Sequence, residues 1–493
     1  MAGGATARVH PGKRKGDPML TRNSKPIIVA VPYVDTNEPI MAPSLLKSVL
    51  KTYGIKSTAL DLNIKVVHRL SNHPKKQKLL DFFFSQLIHD DCIDDLNDLI
   101  LYCRDQILKH DPNIISLSLL IYSCQIFTKW LCASLKEARP DLKIVIGGTG
   151  IKNFVGEDNL DFCIQLKNLG LIDDFIVGDG EISFYEFIKG NRDYPGINSN
   201  NWIPTPDLNI VPWPDYSDYD FSLYDNPTIP LCDSRGCIKN CEFCDIIEYW
   251  QKFQHRTAEN IFDEMLYQIS QHHITKFSFR SSLVNGNLKE FKKLISMISD
   301  YNENKLKPQQ ISWEGYFIIR GAKYHPDDLW QKLQTSNATL LVGVESVIQS
   351  VRNRLGKTFN DEDIDHDLAM GQKYKVPLIL LMIVAYPTET RDNFEYTKQW
   401  FRDRKHYANN SVALVHLSFA SILPGTQLAR RSSEYGIKKG KLPSIWINQN
   451  LSITSAERKQ YLLELYDVCQ NECDFNALTN EQTLEHTTDY DLH

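Results

Sequence analysis

The segment that decides the fold reads Ile229-Pro-Leu-Cys-Asp-Ser-Arg-Gly-Cys237-Ile-Lys-Asn-Cys241-Glu-Phe-Cys244. It opens with an apolar run that is typical of a buried strand and continues into a loop that carries three cysteines in C-x3-C-x2-C spacing. Cysteine thiolates are the usual ligands of iron-sulfur clusters. A four-iron cluster held by only three of them keeps one iron free for a small ligand. The segment therefore predicts a metal centre at the carboxyl end of a strand.

The same rhythm, an apolar run followed by a helical or turn segment, continues downstream of the cysteines. With the first run it gives six strands rich in β-branched and aromatic residues. Parallel strands joined by helices at this spacing predict a full or partial βα barrel over residues 229–437, with chemistry at the carboxyl ends of the strands. The five later runs are KFSFRSS (276–282), ISWEGYFIIR (311–320), TLLVGVES (339–346), LILLMIVAY (378–386) and VALVHLSFASIL (412–423).

Residues 24–192 show a separate α/β pattern upstream of the barrel. Short β-branched runs alternate with amphipathic segments, which predicts a doubly wound, Rossmann-like parallel sheet covered by helices. Apolar positions at helical spacing over residues 64–110 predict a helical pair inserted into this domain. The predicted strands are IIVAVPY (27–33), STALDL (57–62), IISLSLL (114–120), KIVIGG (143–148) and the run that begins at Asp174.

The remaining segments are assigned by their composition. Residues 193–228 are predicted to be a linker, because prolines among Asn and Asp favour turns and extended chain over regular structure. Residues 1–23 are predicted to be a flexible tail. Residues 438–493 are predicted to form a helical C-terminal segment that ends in a polar tail.

Composition and charge exclude several classes of protein. The 493 residues are 42% hydrophobic and 24% charged, which is ordinary for a globular protein, and no apolar run reaches the 18 residues that a membrane helix needs. A net charge of -6 argues against a general nucleic-acid surface. No secretion signal is recognisable, so the 11 cysteines are expected to be buried thiols and a metal site in the reducing cytoplasm.

The three cysteines, with Phe243 just before the last of them, resemble the signature of the radical S-adenosylmethionine (SAM) superfamily. The resemblance implies a [4Fe-4S] cluster on Cys237, Cys241 and Cys244, whose open iron chelates the amino and carboxylate groups of SAM. Downstream segments follow in the order found in that family, and the whole resemblance covers residues 25–437. Phe243 is accordingly expected beside the SAM site.

Two strand-end segments are similar to SAM-binding segments of the family. Gly343-Val-Glu345-Ser346 resembles its G-x-E-S segment. This implies that Glu345 accepts hydrogen bonds from the SAM ribose, with Ser346 beside it. Ile383-Val-Ala385-Tyr-Pro387-Thr-Glu-Thr390 resembles the segment that packs against adenine, although the family usually has glycine at positions 385 and 388. Ala385 and Pro387 are therefore expected at the adenine.

Basic residues near the strand ends are candidates for pairing with the SAM carboxylate. Lys357, in Leu-Gly-Lys-Thr-Phe, resembles a basic position of the family, and Arg320 ends the preceding strand. Either residue could equally be a solvated charge. The second barrel strand is followed by Arg280, where many relatives have an acidic residue, so the residue that contacts the methionine amino group is left open.

The N-terminal domain resembles the cobalamin-binding domain that precedes the barrel in one large subgroup of the superfamily. The resemblance rests on its placement, on Ser118 at a strand end, and on Gly147 and Gly148 after the next strand. It implies that these residues lie against the buried nucleotide tail of cobalamin. The histidine that ligates cobalt in some members is absent, since Asn37 stands at its position. An alternative is that the domain keeps the fold but binds substrate or nothing.

The cysteine triplet has a second interpretation, which is a zinc site completed by His255 or Cys232. Zinc motifs usually come as two spaced pairs, which favours the cluster. Cys232 itself lies on the first barrel strand. It is expected to pack in the core, or else to face the barrel interior as a hydrogen-atom donor.

The resemblance implies an activity as well as a fold. The cluster would cleave SAM reductively to methionine and a 5'-deoxyadenosyl radical, which removes a hydrogen atom from an unactivated carbon, and cobalamin would supply a methyl group. Three hypotheses remain open: a cobalamin-dependent radical SAM methyltransferase, a radical SAM enzyme that performs a rearrangement or oxidation without cobalamin, and a non-catalytic metal-binding protein. The expected partners are an electron donor such as flavodoxin or ferredoxin, and a small-molecule, peptide or lipid substrate.

Overall fold

The computed structural model describes residues 25–33, 38–153, 159–250, 252–440 and 444–479 of the chain. Three of the sequence predictions lie outside these ranges: the flexible tail at residues 1–23, the loop position of Asn37, and the polar tail after residue 479. Within the described residues, no helix is both long enough and apolar enough to cross a membrane.

The N-terminal unit is built on a parallel sheet of five described strands in the order β2-β1-β3-β4-β5. The order reverses beside β1, as in a doubly wound fold, and ligands of such folds bind outside the carboxyl ends of the strands. β1 and β3 are buried at every position, because helices cover both faces. The strands are β1 (Pro26–Ala30), β2 (Thr58–Asp61), β3 (Ile114–Ser118), β4 (Lys143–Gly147) and β5 (Asp174–Ile176).

The predicted doubly wound domain is confirmed, but its insertion differs in one respect from the predicted helical pair. Residues 62–108 form three helices, because the turn at residues 71–75 divides the first stretch in two. The helices of this unit are α1 (Met41–Thr52), α2 (Leu62–Leu70), α3 (Lys76–Ser85), α4 (Ile93–Leu108), α5 (Gln125–Ala138), α6 (Asp161–Asn168) and α7 (Gly180–Ile188).

The C-terminal unit is a partial βα barrel whose described strands are all parallel, in the order β16-β13-β12-β11-β10-β9-β6. All six predicted strands are present. The seventh, β16, was not predicted, because Ala477-Leu-Thr479 stands among polar residues and forms no apolar run. The strands are β6 (Ile229–Leu231), β9 (Lys276–Phe279), β10 (Ser312–Phe317), β11 (Ala338–Glu345), β12 (Leu378–Val384), β13 (Val412–Phe419) and β16 (Ala477–Thr479).

Two short antiparallel hairpins accompany the barrel: β7 (Ser234–Arg235) with β8 (Gln254–His255), and β14 (Ile437–Lys439) with β15 (Trp446–Asn448). The C-terminal segment is therefore less helical than predicted. The helices of this unit are α8 (Ile246–Tyr249), α9 (Ala258–His272), α10 (Leu288–Glu303), α11 (Asp327–Thr335), α12 (Gln349–Leu355), α13 (Asp361–Tyr374), α14 (Arg391–Asp403), α15 (Gln427–Arg430) and α16 (Ser455–Asp467).

The proline-rich segment at residues 193–228 packs against the N-terminal unit. Lys47 of α1 lies 3.3 Å from the Asp215 carboxylate and 2.7 Å from the Asp218 carboxylate, and its side chain is only 10% exposed. The Tyr224 hydroxyl donates a hydrogen bond of 2.5 Å to Asp61 at the end of β2. The segment thus has little regular structure but is fixed by buried polar contacts.

Candidate functional site

The three cysteines lie in the loop that connects β7 to β8, two strands that pair with each other. Ser234 pairs with His255 and Arg235 pairs with Gln254, so residues 236–253 form one excursion of the chain. β7 begins three residues after β6 ends. The cysteines therefore lie near the carboxyl end of the first barrel strand, where ligands bind in barrels of this type.

The three thiols share one partly buried environment. Cys241 is buried, Cys237 and Cys244 are half-buried, and the Cys244 N–H donates to the Cys241 carbonyl at 3.0 Å. Burial raises the pKa of all three thiols, that of Cys244 to about 12, and their mutual repulsion raises the pKa of Cys241 and Cys244 further. Thiols must lose their protons to ligate a metal, so binding of a metal centre by these three cysteines would release protons and strengthen as the pH rises.

The spacing of the thiols bears on the zinc alternative. Among the described residues, no group of three His, Cys, Asp or Glu side chains, the three cysteines included, is arranged as a ready set of metal ligands. The Cys232 thiol lies 3.4 Å from the Ser234 carbonyl, and His255 Nε2 lies 2.6 Å from Asn287 Nδ2. These contacts give the zinc alternative no support.

Glu242, between the second and third cysteines, was missed by the sequence analysis. Its carboxylate is buried and accepts hydrogen bonds from the hydroxyl groups of Tyr386 (2.7 Å) and Tyr435 (2.6 Å) and from Arg431 (2.6 Å). Its main chain is also held, since its N–H donates to the Leu355 carbonyl at 3.1 Å. Glu242 therefore ties the cysteine loop to three other segments of the barrel.

The cysteine loop packs closely on the segment that carries Lys357. Gly356 has φ 84°, and a Cβ at this position would lie 3.0 Å from the Asn240 carbonyl oxygen. The chain can approach the loop this closely because Gly356 has no side chain. The Leu-Gly-Lys-Thr-Phe segment is thus placed directly beside the cysteines.

Glu345 and Lys357 form a buried pair between β11 and the cysteine loop. Lys357 Nζ lies 3.1 Å from Glu345 Oε1 and 3.1 Å from the Gly343 carbonyl oxygen. Although burial opposes its charge, the pKa of Lys357 is raised by Glu345 and by the thiols of Cys241 and Cys237. Lys357 therefore lies between the predicted ribose-binding carboxylate and the predicted cluster. Lys357 is buried in an ion pair, so the solvated-charge interpretation does not apply to it.

Ser346 and the 385–390 segment meet at a second buried carboxylate. Glu389 accepts hydrogen bonds from Ser346 Oγ at 2.5 Å and from the Tyr386 N–H at 3.0 Å, and burial raises its pKa to about 7. The Ser346 hydroxyl is therefore engaged by protein. Ala385 has φ 55°, a conformation that favours glycine, which accounts for the glycine usual at this position.

The remaining predicted SAM residues lie in the same region. Phe243 packs against an apolar cluster that includes Ile383 and Tyr386. The Pro387 carbonyl accepts a hydrogen bond of 2.6 Å from Asn448 Nδ2. Arg320 lies elsewhere at the strand ends, where its guanidinium donates to the Asn285 carbonyl at 2.8 Å.

A cavity of about 310 Å³ lies between the carboxyl edge of the N-terminal sheet and the start of the barrel. A cavity of this volume at this place is typical of a ligand site in an open α/β sheet. The side facing the N-terminal unit carries the predicted cobalamin residues Ser118, Gly147 and Gly148. The side facing the barrel is formed by Cys232, Ser234, Arg235, Tyr249, Trp250, Arg280 and Ser281. Cys232 thus reaches the cavity and does not only pack in the core.

The two glycines of the predicted pair differ in their surroundings. A Cβ at Gly148, whose φ is 93°, would lie 2.3 Å from the Leu119 carbonyl oxygen. A Cβ at Gly147 would lie 3.4 Å from the Ile176 carbonyl oxygen and 3.8 Å from the Ile176 Cβ, both ordinary contacts. Gly148 is therefore required by the fold, whereas the absent side chain of Gly147 leaves space toward the cavity.

Charged residues from both units meet at the cavity wall. Arg235 Nη1 lies 2.9 Å from Asp179, and Arg235 Nη2 contacts Glu181, both at the start of α7. Arg280 contacts Glu38 of the N-terminal unit. Glu181 lies in the first turn of α7, and its pairing with Arg235 across the interface could not be read from the sequence.

The fold of this chain is similar to that of solved proteins. TsrM from Kitasatospora setae, a radical S-adenosylmethionine methyltransferase solved with cobalamin and a [4Fe-4S] cluster, superposes with a TM-score of 0.61. The match covers 92% of this chain and 83% of that one at 12% identity. OxsB, a cobalamin-dependent S-adenosylmethionine radical enzyme solved with aqua-cobalamin and S-adenosylmethionine, gives a TM-score of 0.64 at 13% identity. This match covers 91% of this chain and 66% of OxsB. The chain has the fold of the cobalamin-dependent radical SAM enzymes.

At the sequence level the similarity is weaker. A protein of Methanocaldococcus jannaschii, named as a candidate methylthiotransferase, is 22% identical over 277 residues. The match covers 52% of this chain, and this chain spans 57% of that protein. No protein-family model matches the chain.

The residues of this radical SAM fold fit the cofactors that the fold implies. Three cysteines with a lysine beside them suit a cluster and the anionic carboxylate of SAM. The cavity offers an absent side chain at Gly147. It also offers Asp179 Oδ1, a buried carboxylate oxygen with no hydrogen-bond partner among the described residues. A cofactor rich in amide N–H donors, such as cobalamin, can satisfy this oxygen.

Proposed function

We propose that this chain is a radical SAM enzyme that methylates an unactivated carbon with the help of cobalamin. One observation carries the proposal: the three-cysteine loop contacts the Lys357 segment on one side and is continuous with the cavity wall at Arg235 on the other. The fold shared with TsrM and OxsB supports it. When bound, the cluster supplies an electron that cleaves SAM to methionine and a 5'-deoxyadenosyl radical, and cobalamin supplies the methyl group.

The chain's own residues would bind and orient these groups. Cys237, Cys241 and Cys244 would hold the cluster through their thiolates. Lys357 is placed to compensate negative charge on the thiolates and on the SAM carboxylate. Lys357 contacts the Oε1 atom of Glu345. The carboxylate of Glu345 would use its remaining acceptor capacity to accept hydrogen bonds from the ribose hydroxyls.

Other residues would shape the nucleoside and cobalamin sites. Ala385 and Pro387 would line the adenine site, with Phe243 and Ser346 supporting them. Ser118, Gly147 and Gly148 would lie against the nucleotide tail of cobalamin. Closely packed walls would exclude water and so protect a reactive radical from side reactions.

The partners and compartment follow from this proposal. The substrate would be a small molecule, a peptide or a lipid, and TsrM has been solved with tryptophan bound as its substrate. An electron donor such as flavodoxin or ferredoxin would be required. The 11 free cysteines and an oxygen-sensitive cluster fit the cytoplasm.

Methylcobalamin separates this proposal from radical chemistry without cobalamin. The protein, expressed anaerobically with cobalamin and reconstituted with iron and sulfide, should purify with the absorption bands of both cofactors. With SAM and a reductant it should transfer a labelled methyl group to a substrate drawn from the three classes. A cluster that cleaves SAM in a protein that binds no cobalamin would favour the second hypothesis. The similarity to the Methanocaldococcus jannaschii protein makes methylthiolation one reaction to test under this second hypothesis.

A further inference from the structure

Arg235 belongs to the barrel but is buried between two carboxylates of the N-terminal unit. Its side chain is 10% exposed, and those of Asp179 and Glu181 are 3% and 6% exposed. Arg235 Nη2 donates a hydrogen bond to Glu181, whereas Nη1 lies 2.9 Å from Asp179 as an ion pair without hydrogen-bond geometry, so the guanidinium bridges the two carboxylates by charge. The ring of Trp250, near the far end of the cysteine loop, lies 5.3 Å below the guanidinium.

The link from Arg235 to the cysteines is short and constrained. Arg235 stands two residues before Cys237, with Gly236 between them. Gly236 has φ 78°, and a Cβ there would lie 2.6 Å from the Lys252 carbonyl oxygen. The backbone at the start of the cysteine loop therefore contacts the backbone at its end, next to Arg235. A shift of the guanidinium would move the first cysteine as well.

The same group faces the cavity. Asp179, Glu181, Arg235 and Trp250 all line it, and Asp179 Oδ1 is buried without a hydrogen-bond partner among the described residues. A ligand that fills the cavity and donates to Asp179 would change the contacts of the carboxylate that holds Arg235. Removing one partner of a buried ion pair costs a protein several kcal/mol of stability. The guanidinium of Arg235 is therefore expected to follow its carboxylate partners when they move.

We propose that Arg235 is a positioning residue that couples occupation of the cavity to the placement of the three-cysteine loop. The inference rests on the proposed function and deepens it, because it assigns a residue to the communication between the two cofactor sites. Coupling between two binding sites is reciprocal. A cluster on the cysteines should therefore tighten cobalamin binding, and cobalamin should slow loss of the cluster.

The test measures hydroxocobalamin binding by equilibrium dialysis under anaerobic conditions. The dissociation constant is compared between cluster-free protein and protein with a reconstituted cluster. The reciprocal measurement follows the loss of cluster absorbance to EDTA with and without hydroxocobalamin. For the wild-type protein we expect the cluster to lower the dissociation constant by about fivefold or more, within the range usual for coupled sites.

Two variants and one control identify the residue responsible. Arg235→Lys keeps the charge but lacks the fork that bridges two carboxylates. If it fails to fold, Glu181→Gln removes one side of the bridge and leaves Asp179. The control is Arg256→Lys, since Arg256 is also buried beside the loop but pairs with Glu264 inside the barrel.

The expected results distinguish the inference from the function on which it rests. Arg235→Lys or Glu181→Gln should bring the ratio of dissociation constants below about twofold, whereas Arg256→Lys should keep the wild-type ratio. Wild-type protein that binds cluster and hydroxocobalamin independently, or an Arg235→Lys variant with wild-type coupling, would overturn the inference alone. Wild-type protein that binds neither group would overturn the proposed function.

Discussion

Buried charges dominate this site at the scale of single residues. Glu242, Glu389, Lys357 and Arg235 are all largely withdrawn from water, and each has close polar partners. Charges are buried in proteins when partners compensate the loss of hydration. Glu242, Glu389 and Arg235 each have a partner more than 40 residues away in the chain, so each of these groups fixes two or more segments relative to one another.

Glu242 offers the clearest test of this view. Replacing it by Gln keeps the shape but weakens three hydrogen bonds to a charged group, and we expect a loss of about 2 kcal/mol in stability. The cysteine loop should loosen, so reconstituted protein should contain less iron and lose it faster to a chelator. Iron content and unfolding by urea measure both effects. The matched control is Glu248→Gln, because Glu248 pairs with the exposed Arg430. Equal iron content in both variants would contradict the role of Glu242.

The ends of strands carry the site at the scale of elements. In the N-terminal unit, β3 and β4 place Ser118 opposite Gly147. In the barrel, the ends of β11 and β12 bring Glu345 and Ala385 forward in left-handed conformations. Parallel strands point their carboxyl ends to one edge, so residues far apart in sequence converge there.

The glycine pair after β4 yields a prediction with an internal control. Gly148→Ala forces a Cβ to within 2.3 Å of the Leu119 carbonyl oxygen at a positive φ, so we expect a loss of about 3 kcal/mol or more. Gly147→Ala makes only an ordinary contact and should fold with near wild-type stability. If cobalamin occupies the cavity, Gly147→Ala should nevertheless weaken hydroxocobalamin binding. Normal binding by a folded Gly147→Ala variant would argue against cobalamin passing this residue.

Glu389, which links the ends of β11 and β12, predicts a pH dependence. Burial raises its pKa from 4.5 to about 7. Between these values the folded protein keeps a proton that the unfolded chain has lost, so the stability contributed by Glu389 falls as the pH rises. The full effect is about 3 kcal/mol. Urea unfolding should be measured from pH 5 to pH 8. As the pH rises, the free energy of unfolding of Glu389→Gln should increase relative to that of the wild type. Parallel curves would contradict the assignment.

The molecule as a whole is held together by contacts that short sequence patterns do not reveal. The six barrel strands were predictable because each coincides with an apolar run followed by a helical or turn segment, and the cysteine loop because its spacing is local. The bridge from Arg235 to Asp179 and Glu181 spans more than 50 residues. Its partners look like an ordinary helix start in the sequence. The same holds for Glu242, whose partners Tyr386, Arg431 and Tyr435 become neighbours only in the folded barrel.

The proline-rich segment at residues 193–228 illustrates this at the largest scale. Lys47 lies between Asp215 and Asp218 with little exposure, so Lys47→Met removes the buried cation that both carboxylates share and leaves the buried Asp215 with only the exposed Lys51. We expect a loss of about 3 kcal/mol and faster proteolysis within the segment. Lys51→Met is the control, because Lys51 also pairs with Asp215 but is 70% exposed, and it should cost less than about 1 kcal/mol. A loss below about 1 kcal/mol in both variants, with unchanged proteolysis, would show that the segment is a free linker.

The central claim is that Cys237, Cys241 and Cys244 hold a cluster that cleaves SAM. The most direct measurement is anaerobic reconstitution of the full chain with iron and sulfide, followed by quantification of 5'-deoxyadenosine formed from SAM under a strong reductant. We predict a [4Fe-4S] absorption spectrum and 5'-deoxyadenosine in the wild type. Both should be lost in Cys241→Ala but kept in Cys469→Ala, since Cys469 is buried elsewhere in the barrel unit. Protein that binds zinc and leaves SAM intact would contradict the claim.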